Sequence, residues 1–566
     1  MKRFIAKLKL LFFPPEGASP TARVLPFIIL GILTLTVFLV AGAGWEYTNT
    51  AKFCGTSCHT MPPEYTSYLV SPHARVACVE CHLGRGYIAE NFGRKAGDIS
   101  HITAMLFKNY EVPITAHKMR PARETCERCH FPEKFSDDSL REIRHYADDQ
   151  YNTLEITYLI LKTGGGSDRQ GLGKGIHWHV ENSVLFLSSN ESDQEIPYVR
   201  VVQKDGTVDE YLDIESELIS ADIDPADLEE MSCITCHNRI SHLIYPPEII
   251  LDQLLDTGVI STSLPDIRRK AVELFYRPYE SYEIANNAFV GLGNYYQVYY
   301  PEIFNSDRAL IDQAIVALQT AYTNSVSIEQ KSDWNAHPND IGHQFSPGCF
   351  RCHDGKHLNA SEESIRLECN LCHSIPVVAT DDDLVTNLEI SRGLEPETHF
   401  SSNWIGIHRH VFDYTCENCH TTEDPGGVSN TSFCSNSACH GRIFNYAGFD
   451  APGLREIWLS QLPPPPPPMP KPNRGALTYD QSIGALLTFR CGSCHGNKGI
   501  EGLNLTTYET VLVGGKGGSA IIPGDPDNSM LIQKQSGGRP HFVQFSQEEL
   551  AFIIEWVLNG APETNE

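Results

Sequence analysis

Positive charge is scarce in this sequence. Its 566 residues carry 44 Lys and Arg against 71 Asp and Glu, a formal net charge of −27. A surplus of that sign repels a phosphate backbone, which excludes nucleic acid as a partner. Also missing is any cysteine that stands alone. All 18 Cys fall into pairs, and the second member of every pair is followed by His. No thiol is left over for a disulfide, the usual fate of cysteines in an oxidising compartment.

Seven pairs have two residues between the thiols: Cys78/Cys81/His82, Cys126/Cys129/His130, Cys233/Cys236/His237, Cys349/Cys352/His353, Cys369/Cys372/His373, Cys416/Cys419/His420 and Cys491/Cys494/His495. Two are stretched, "CGTSCH" at Cys54/Cys58/His59 and "CSNSACH" at Cys434/Cys439/His440. Zinc sites also use Cys-x-x-Cys, but they need no His after every second thiol. The pattern is that of covalent haem c, in which two thiols bind the vinyl groups and the adjacent His swings under the iron. In the stretched motifs the extra residues bulge as a loop without moving either anchor far. Nine covalently bound haem c groups are therefore predicted.

Axial ligands follow by arithmetic. Of 23 His, nine belong to the motifs and 14 remain. With Met61 serving the first haem, eight distal positions can be filled from those 14, so most irons are expected to be bis-His, a ligation that gives lower potentials than His/Met. Irons saturated by two side chains transfer electrons and do not bind substrate. No Cys-x-x-Cys-Lys occurs, so one familiar type of catalytic haem is absent.

Haem c is attached outside the cytoplasm, so the bulk of the chain must be exported. Residues 24–45, "VLPFIILGILTLTVFLVAGAGW", carry no charge over 22 residues, enough to cross a hydrocarbon core of about 30 Å at about 1.5 Å per residue. Lys2, Arg3, Lys7, Lys9 and Arg23 precede the run and Glu46 follows it. That bias puts the N-terminus in the cytoplasm and everything after Trp45 outside. A cleaved signal peptide, with "AGA" at 41–43 as its site, is the alternative, although the run exceeds an ordinary signal core. "MKRFIAKLKLLFF" reads either as a basic amphipathic helix on the inner membrane face or as a plain cytoplasmic tail.

The expected organisation is a basic cytoplasmic N-terminus (1–23), a transmembrane anchor (24–45), a tetrahaem module (46–246), a helical scaffold (247–345), a second tetrahaem group (346–461), a proline-rich linker (462–473) and a one-haem domain (474–566). Within the first module, "IPYVRVVQKDGTVDEYLDI" (196–214) alternates around a Lys-Asp-Gly-Thr turn and predicts a β-hairpin forming a surface insertion. "DIRRKAVELFY" and "RALIDQAIVALQTAYTN" have helical periodicity and predict packing helices. "LPPPPPPMPKP" favours an extended polyproline spacer of roughly 30 Å. The fold class expected is mainly α with long ordered loops, a multihaem cytochrome c with one N-terminal transmembrane helix and a small α-helical cytochrome c domain at its C-terminus. That last domain, from "FRCGSCHGNKGIEGL" to "SQEELAFIIEWVLNGAP", resembles one-haem cytochromes. The resemblance implies a first helix that carries the motif of Cys491, Cys494 and His495, and a last helix packed over the haem. Its distal ligand is expected to be His541, with Met530 as the rival.

"FCGTSCHTM", "SPHARVACVECH", "ARETCERCH" and "MSCITCHNRISH" together resemble the NapC/NirT/NrfH family of membrane-anchored quinol dehydrogenases. "PNDIGHQFSPGCFRCHDGKH" and "LECNLCH" are similar to its extended inner-membrane members, and the resemblance covers about residues 20–375. It implies that Met61 ligates the haem nearest the membrane and that quinol, menaquinol or ubiquinol, is oxidised beside it. It also implies distal ligands: His242 for the second haem, His177 or His179 for the third, His73 for the fourth. For haems five to eight, proximity nominates His343, His357, His408 and His410. Quinol oxidation releases protons as well as electrons, so an acceptor is needed near the first haem. The resemblance points to Lys95, Asp98 and His101 of "GRKAGDISHI", for which a solvated stretch beside the lipid headgroups is the alternative.

The expected function is a conduit from the membrane quinol pool to an extracytoplasmic redox protein or complex, on the periplasmic side of the cytoplasmic membrane. Two other readings are an electron-transfer subunit of a larger respiratory or photosynthetic complex, and a terminal reductase of a nitrogen or sulfur oxyanion that would need an iron without a distal ligand.

Overall fold

The structure, a computed structural model, describes residues 9, 12–57, 61–84, 86–97, 99–116, 119–131, 138–164, 175–190, 192–380, 399, 401–412, 416, 420–462, 470–492, 494–497, 499–536, 541 and 545–564. Cys58, His59, Asp98, Cys419 and most of the proline run lie outside these residues.

Helix α1 (Pro20–Thr48) contains the predicted span and extends past it at both ends. Pro20 occupies its first turn, where a missing N–H costs nothing, and the Ser19 hydroxyl accepts the Ala22 N–H at 3.2 Å. The helix is long and apolar enough to cross a membrane, and its side chains are almost all exposed. Helix α2 (Pro62–Val70) follows the first motif and starts on two prolines. Helix α3 (Ile88–Gly97) turns back towards the end of α1.

Two antiparallel sheets then position the haem motifs. In the first, β1 (Ser139–Tyr146) pairs with β2 (Leu154–Leu161), which pairs with the late strand β8 (Val377–Thr380). The second has five strands in the order β6-β3-β4-β5-β7, namely Glu229–Glu230, Ser183–Leu187, Tyr198–Val202, Val208–Asp213 and His357–Leu358. The predicted hairpin is present as β4 and β5. It is not a surface insertion, because β4 is the middle strand and Tyr198 and Val199 are buried. Tyr198 and Val199 are neighbours in the strand and point to opposite faces, so the sheet is covered on both faces at this point. The edge strand β6 leads into Cys233 and β7 follows His353, so the sheet ties the fourth motif to the fifth.

Helices α4 (Pro247–Asp256), α5 (Ile267–Phe275), α6 (Tyr282–Tyr299) and α7 (Arg308–Ser325) pack into one apolar core that includes Leu251, Leu264, Phe289, Tyr296, Ile311 and Leu318. Buried Arg268 pairs there with Asp252 at 2.7 Å and with Asp148 at 2.6 Å. Near the end of the chain, α8 (Trp404–Val411) and α9 (Leu454–Ser460) meet where the Trp458 ring covers Gly406. Helix α10 (Gly484–Cys491) leads into the ninth motif, and α11 (Gln547–Leu558) begins with a Ser546/Glu549 capping box. Glu549 also pairs with Arg490 at 3.0 Å, which locks α11 to the motif helix.

The expectation that this helix carries the whole motif is corrected at Cys494. Helix α10 ends at Cys491, and Cys494 lies in the turn beyond it. Past Gly492 the Cys491 carbonyl accepts both the Cys494 N–H at 3.2 Å and the His495 N–H at 2.8 Å, a shared bond of the kind that closes helix ends. The Cys494 carbonyl then accepts the Ile500 N–H at 2.9 Å, which folds the following loop back on the motif.

Candidate electron-transfer centres

A metal–imidazole bond is about 2 Å long, so two imidazoles on opposite sides of one iron hold their ring centroids about 6 Å apart. The structure brings histidines together at this separation again and again. His82 faces His242 at 6.2 Å, and His130 faces His73 at 6.0 Å. His353 faces His179 at 5.7 Å, His373 faces His343 at 6.3 Å and His420 faces His399 at 6.0 Å. His440 faces His408 at 6.4 Å and His495 faces His541 at 6.1 Å. At the fourth motif, His237 has His177 and His130 close by. Burial first, and then these two neighbours, lower its pKa.

Second contacts orient these rings. Nδ1–H donates to a backbone carbonyl in His179 (Ile176, 2.8 Å), His242 (Glu64, 2.9 Å), His353 (Arg366, 2.5 Å), His373 (Ser374, 2.6 Å), His408 (Ile405, 2.8 Å) and His440 (Gly427, 3.2 Å). Fixing the proton on Nδ1 presents the Nε2 lone pair to a metal. Burial lowers the pKa of His242 to about 4, and burial followed by the charge of His179 does the same at His353. Both rings thus stay neutral across physiological pH, as ligation requires.

Several expectations change. His73 faces the third motif rather than the fourth. His177 stands by the fourth and His179 faces the fifth, where the resemblance placed one of them at the third. These adjacent histidines flank Trp178 at the start of a short helix and serve two different sites. His357 is corrected as a ligand: its Nδ1 bonds Asp354 at 2.8 Å and its Nε2 bonds the Ile196 carbonyl at 2.6 Å, which leaves no lone pair. It is a buried structural residue. Burial opposes its charge, but Asp354 outweighs burial and raises its pKa. His410 is exposed, and Arg409 Nε lies 3.0 Å from its Nε2. His399 takes the position facing the seventh motif, and the sequence reasoning missed it. The available signal was its place, with His408 and His410, among the three His of the stretch between the sixth and seventh motifs.

At the ninth motif the two thiols part company. Cys491 closes the helix, and burial followed by the charge of Cys494 pushes its pKa up to about 12. Cys494 sits half-buried in the turn, next to His495 and its facing His541.

The first motif is built around a close approach. Cys54 lies on a short helix (Ala51–Thr56), and a Cβ on Gly55 would sit 2.1 Å from the Tyr65 ring of α2. Only glycine lets that ring lie on the backbone of the stretched motif. Cys54 and Cys78 are in hydrogen-bonding contact, so the first and second motifs abut. Met61 sits at the N-terminal cap of α2. Beside this motif, α3 docks on the end of α1. Lys95 Nζ lies 4.5 Å from the centre of the Trp45 ring, contacts Thr48 Oγ1 at 2.6 Å and also bonds Asn49 Oδ1. Phe92 stacks on Trp45 at 6.3 Å. His101 belongs to the next helix (Ile99–Phe107), but its side chain is outside the described residues.

The residues fit haem c. Beyond paired thiols and facing imidazoles, Arg239 Nε and Nη2 are buried with no hydrogen-bond partner in the polypeptide. Cationic and N–H groups stranded in this way suit the anionic propionates. Among the described residues no other cluster of His, Cys, Asp and Glu is arranged to hold a bare metal ion.

Comparison with known proteins agrees with this chemistry. A family model described as the NapC/NirT cytochrome c family, N-terminal region, matches residues 19–122, and one described as Planctomycete cytochrome C matches residues 491–537. The chain is 36% identical over 409 residues to the cytochrome c-type protein ImcH of Geobacter sulfurreducens, covering 71% of this chain and 78% of that protein. It is 34% identical over 103 residues to the cytochrome c-type protein NrfH of Wolinella succinogenes, covering 17% of this chain and 58% of that one. Against the cytochrome c nitrite reductase subunit NrfH of Nitratidesulfovibrio vulgaris it is 37% identical over 65 residues, 11% of this chain and 40% of that one. No solved structure matches the chain.

Proposed function

The chain belongs to the NapC/NirT family of membrane-anchored multihaem cytochromes c, and on that premise we propose that it oxidises quinol at the outer face of the cytoplasmic membrane and conducts the electrons to an extracytoplasmic redox partner. Helix α1 anchors the chain, and residues after Trp45 lie on the periplasmic side. Haem c, when bound at the nine motifs, supplies reversible one-electron transfer.

The observation that carries this reading is the docking of α3 on the end of α1, beside the touching thiols of the first two motifs. Trp45 and Phe92 offer quinol an apolar wall at membrane-interface depth. Lys95 places a cation where it can donate to the quinol oxygen and stabilise the negative charge that builds as the proton leaves. Asp98 and His101, next along the chain, are the proposed proton acceptors. Each quinol gives up two electrons and two protons, and Met61 would be the residue that holds the iron of a haem bound at the first motif, whose chemistry is to accept electrons singly.

The test is anaerobic reduction of the detergent-solubilised protein by a menaquinol analogue, followed in the haem absorption bands beside Met61→Ala. Rapid reduction that the variant loses, with dithionite still reducing both proteins, is expected. A wild-type protein that dithionite reduces and quinol does not would overturn the reading and hand quinone chemistry to a neighbouring subunit.

A further inference from the structure

Contacts between motifs trace the order of the haem sites in space. Cys54 touches Cys78, and Cys126 touches Cys233. Cys81 lies within electrostatic reach of Cys126 and Cys129, Cys236 of Cys349, and Cys349 of Cys372. From the first motif to the sixth, spatial order follows the sequence. At the sixth it departs, because Cys369 has Cys439 of the eighth motif as its neighbour.

The stretched motif "CSNSACH" makes that contact. Asn436, between its two thiols and mostly buried, donates its Nδ2–H to the Pro376 carbonyl at 2.8 Å, just beyond His373. Its Oδ1 accepts the Ala438 N–H at 2.9 Å, which shapes the loop. Ser435 is fully buried and holds the loop base to Ser429 at 2.5 Å and to Asp424 at 3.3 Å. After the motif, Phe444 packs on His343 at 6.2 Å and on Phe350 at 6.3 Å, both beside the sixth site. The other flank meets the seventh. Phe433, the residue before Cys434, stacks on the His420 ring at 3.9 Å and 19°. The Phe433 N–H donates to Thr421 Oγ1 at 2.9 Å and the Cys434 N–H to the Thr421 carbonyl at 3.4 Å.

We infer that the eighth haem site bridges the sixth and the seventh, and that the extra residues of its motif exist to dock it, with Asn436 as the positioning residue. The inference deepens the conduit reading and rests on it for the direction of flow. Along the bridge one electron leaves the site between His343 and His373, passes the site between His408 and His440, and arrives between His399 and His420. No bond or proton moves.

The test uses full-length, haem-loaded protein. The double variant Cys434→Ala/Cys439→Ala removes the eighth attachment, Asn436→Leu removes the clamp alone, and mass spectrometry counts the haems. In the oxidised protein, the paramagnetic eighth iron broadens the resonances of its neighbours. The His343→Ala and His399→Ala variants identify the sixth and seventh signals. In the double variant both signals are expected to narrow, while that of the His82/His242 site does not, and Asn436→Leu, still with nine haems, narrows the sixth. Narrowing of one neighbour or of neither in the double variant overturns the bridge, whatever quinol does. With quinol as reductant, the double variant is expected to keep fast reduction of the sixth site and lose the fast phase at the seventh. Failure at the sixth would instead count against the conduit.

Discussion

Between α4 and α7 the chain buries Leu251, Leu255, Leu264, Ile267, Phe275, Phe289, Tyr296, Ile311 and Leu318 against one another. From residue 46 to 131, across the first three motifs, the buried apolar side chains among the described residues are Pro63, Tyr68 and Ala122. The first region has an interior made of side chains. The second has thiols and imidazoles gathered at its motifs, with His73 facing His130 and His82 facing His242. The difference teaches where folding free energy comes from in each. The scaffold is stabilised by apolar burial, while the haem-bearing segment folds around its cofactors, much as a small metal-dependent domain folds around its ion.

Removing haems is the harshest way to break that contrast. Cys78→Ala/Cys81→Ala is expected to unfold much of residues 46–131 and leave α4–α7 intact. Hydrogen exchange by mass spectrometry would show protection lost in the first region and kept in the second. Equal loss in both would mean that the scaffold also depends on haem.

Next in size is Arg268→Leu, which takes the guanidinium from Asp252 in the scaffold interior and leaves it His145 at 2.9 Å and the Tyr146 N–H at 3.2 Å. Breaking one side of a buried pair costs about 3–5 kcal/mol, and the expected result is a fall of that order in the scaffold's denaturant stability with the haem bands unchanged.

Acid probes the same region more gently. Burial works against ionisation of Asp266, but hydrogen bonds from Tyr300, Arg269 and Tyr295 outweigh it and hold its pKa at about 2. With the folded value below the ordinary one, this stabilisation is complete above about pH 4 and is lost as pH falls towards 2, a loss of about 1–2 kcal/mol. In Tyr300→Phe the acid limb of the stability curve should be shallower.

The smallest expected effect separates two histidines that look alike in sequence. His357→Gln should leave every haem band unchanged, since both ring nitrogens already bond the protein. His399→Ala should turn one low-spin haem high-spin, visible in the charge-transfer region of the spectrum.

Much of the fold was readable where chemistry is local. A thioether pair needs its cysteines and histidine within a few residues, so each attachment site is spelled out contiguously. The anchor and helices α5 and α7 show in periodicity and length. Where a helix stops is less legible, and α10 gives out at Cys491 and leaves Cys494 in a turn. Distal ligands are not local. His242 reaches back to a motif near the start of the chain, and neighbours His177 and His179 part to serve different sites. Proximity therefore nominated His357 and passed over His399. The β4–β5 hairpin was visible, but its central place was not, because the outer strands β6 and β7 are two residues each, too short to carry a pattern. The reason for the stretched eighth motif lies in Asn436 and Pro376, which are far apart in the sequence.

Facing histidines are the central feature of these sites, and low-temperature electron paramagnetic resonance of the oxidised protein reads the pairs directly. Eight low-spin irons per chain are predicted, with the first haem distinct. Near-perpendicular rings, His73/His130 at 85° and His179/His353 at 87°, should give the signals with the largest g anisotropy. The near-parallel His408/His440 pair at 15° should give an ordinary rhombic one. Spin integration well short of eight low-spin irons in a protein that carries nine haems by mass would contradict the account.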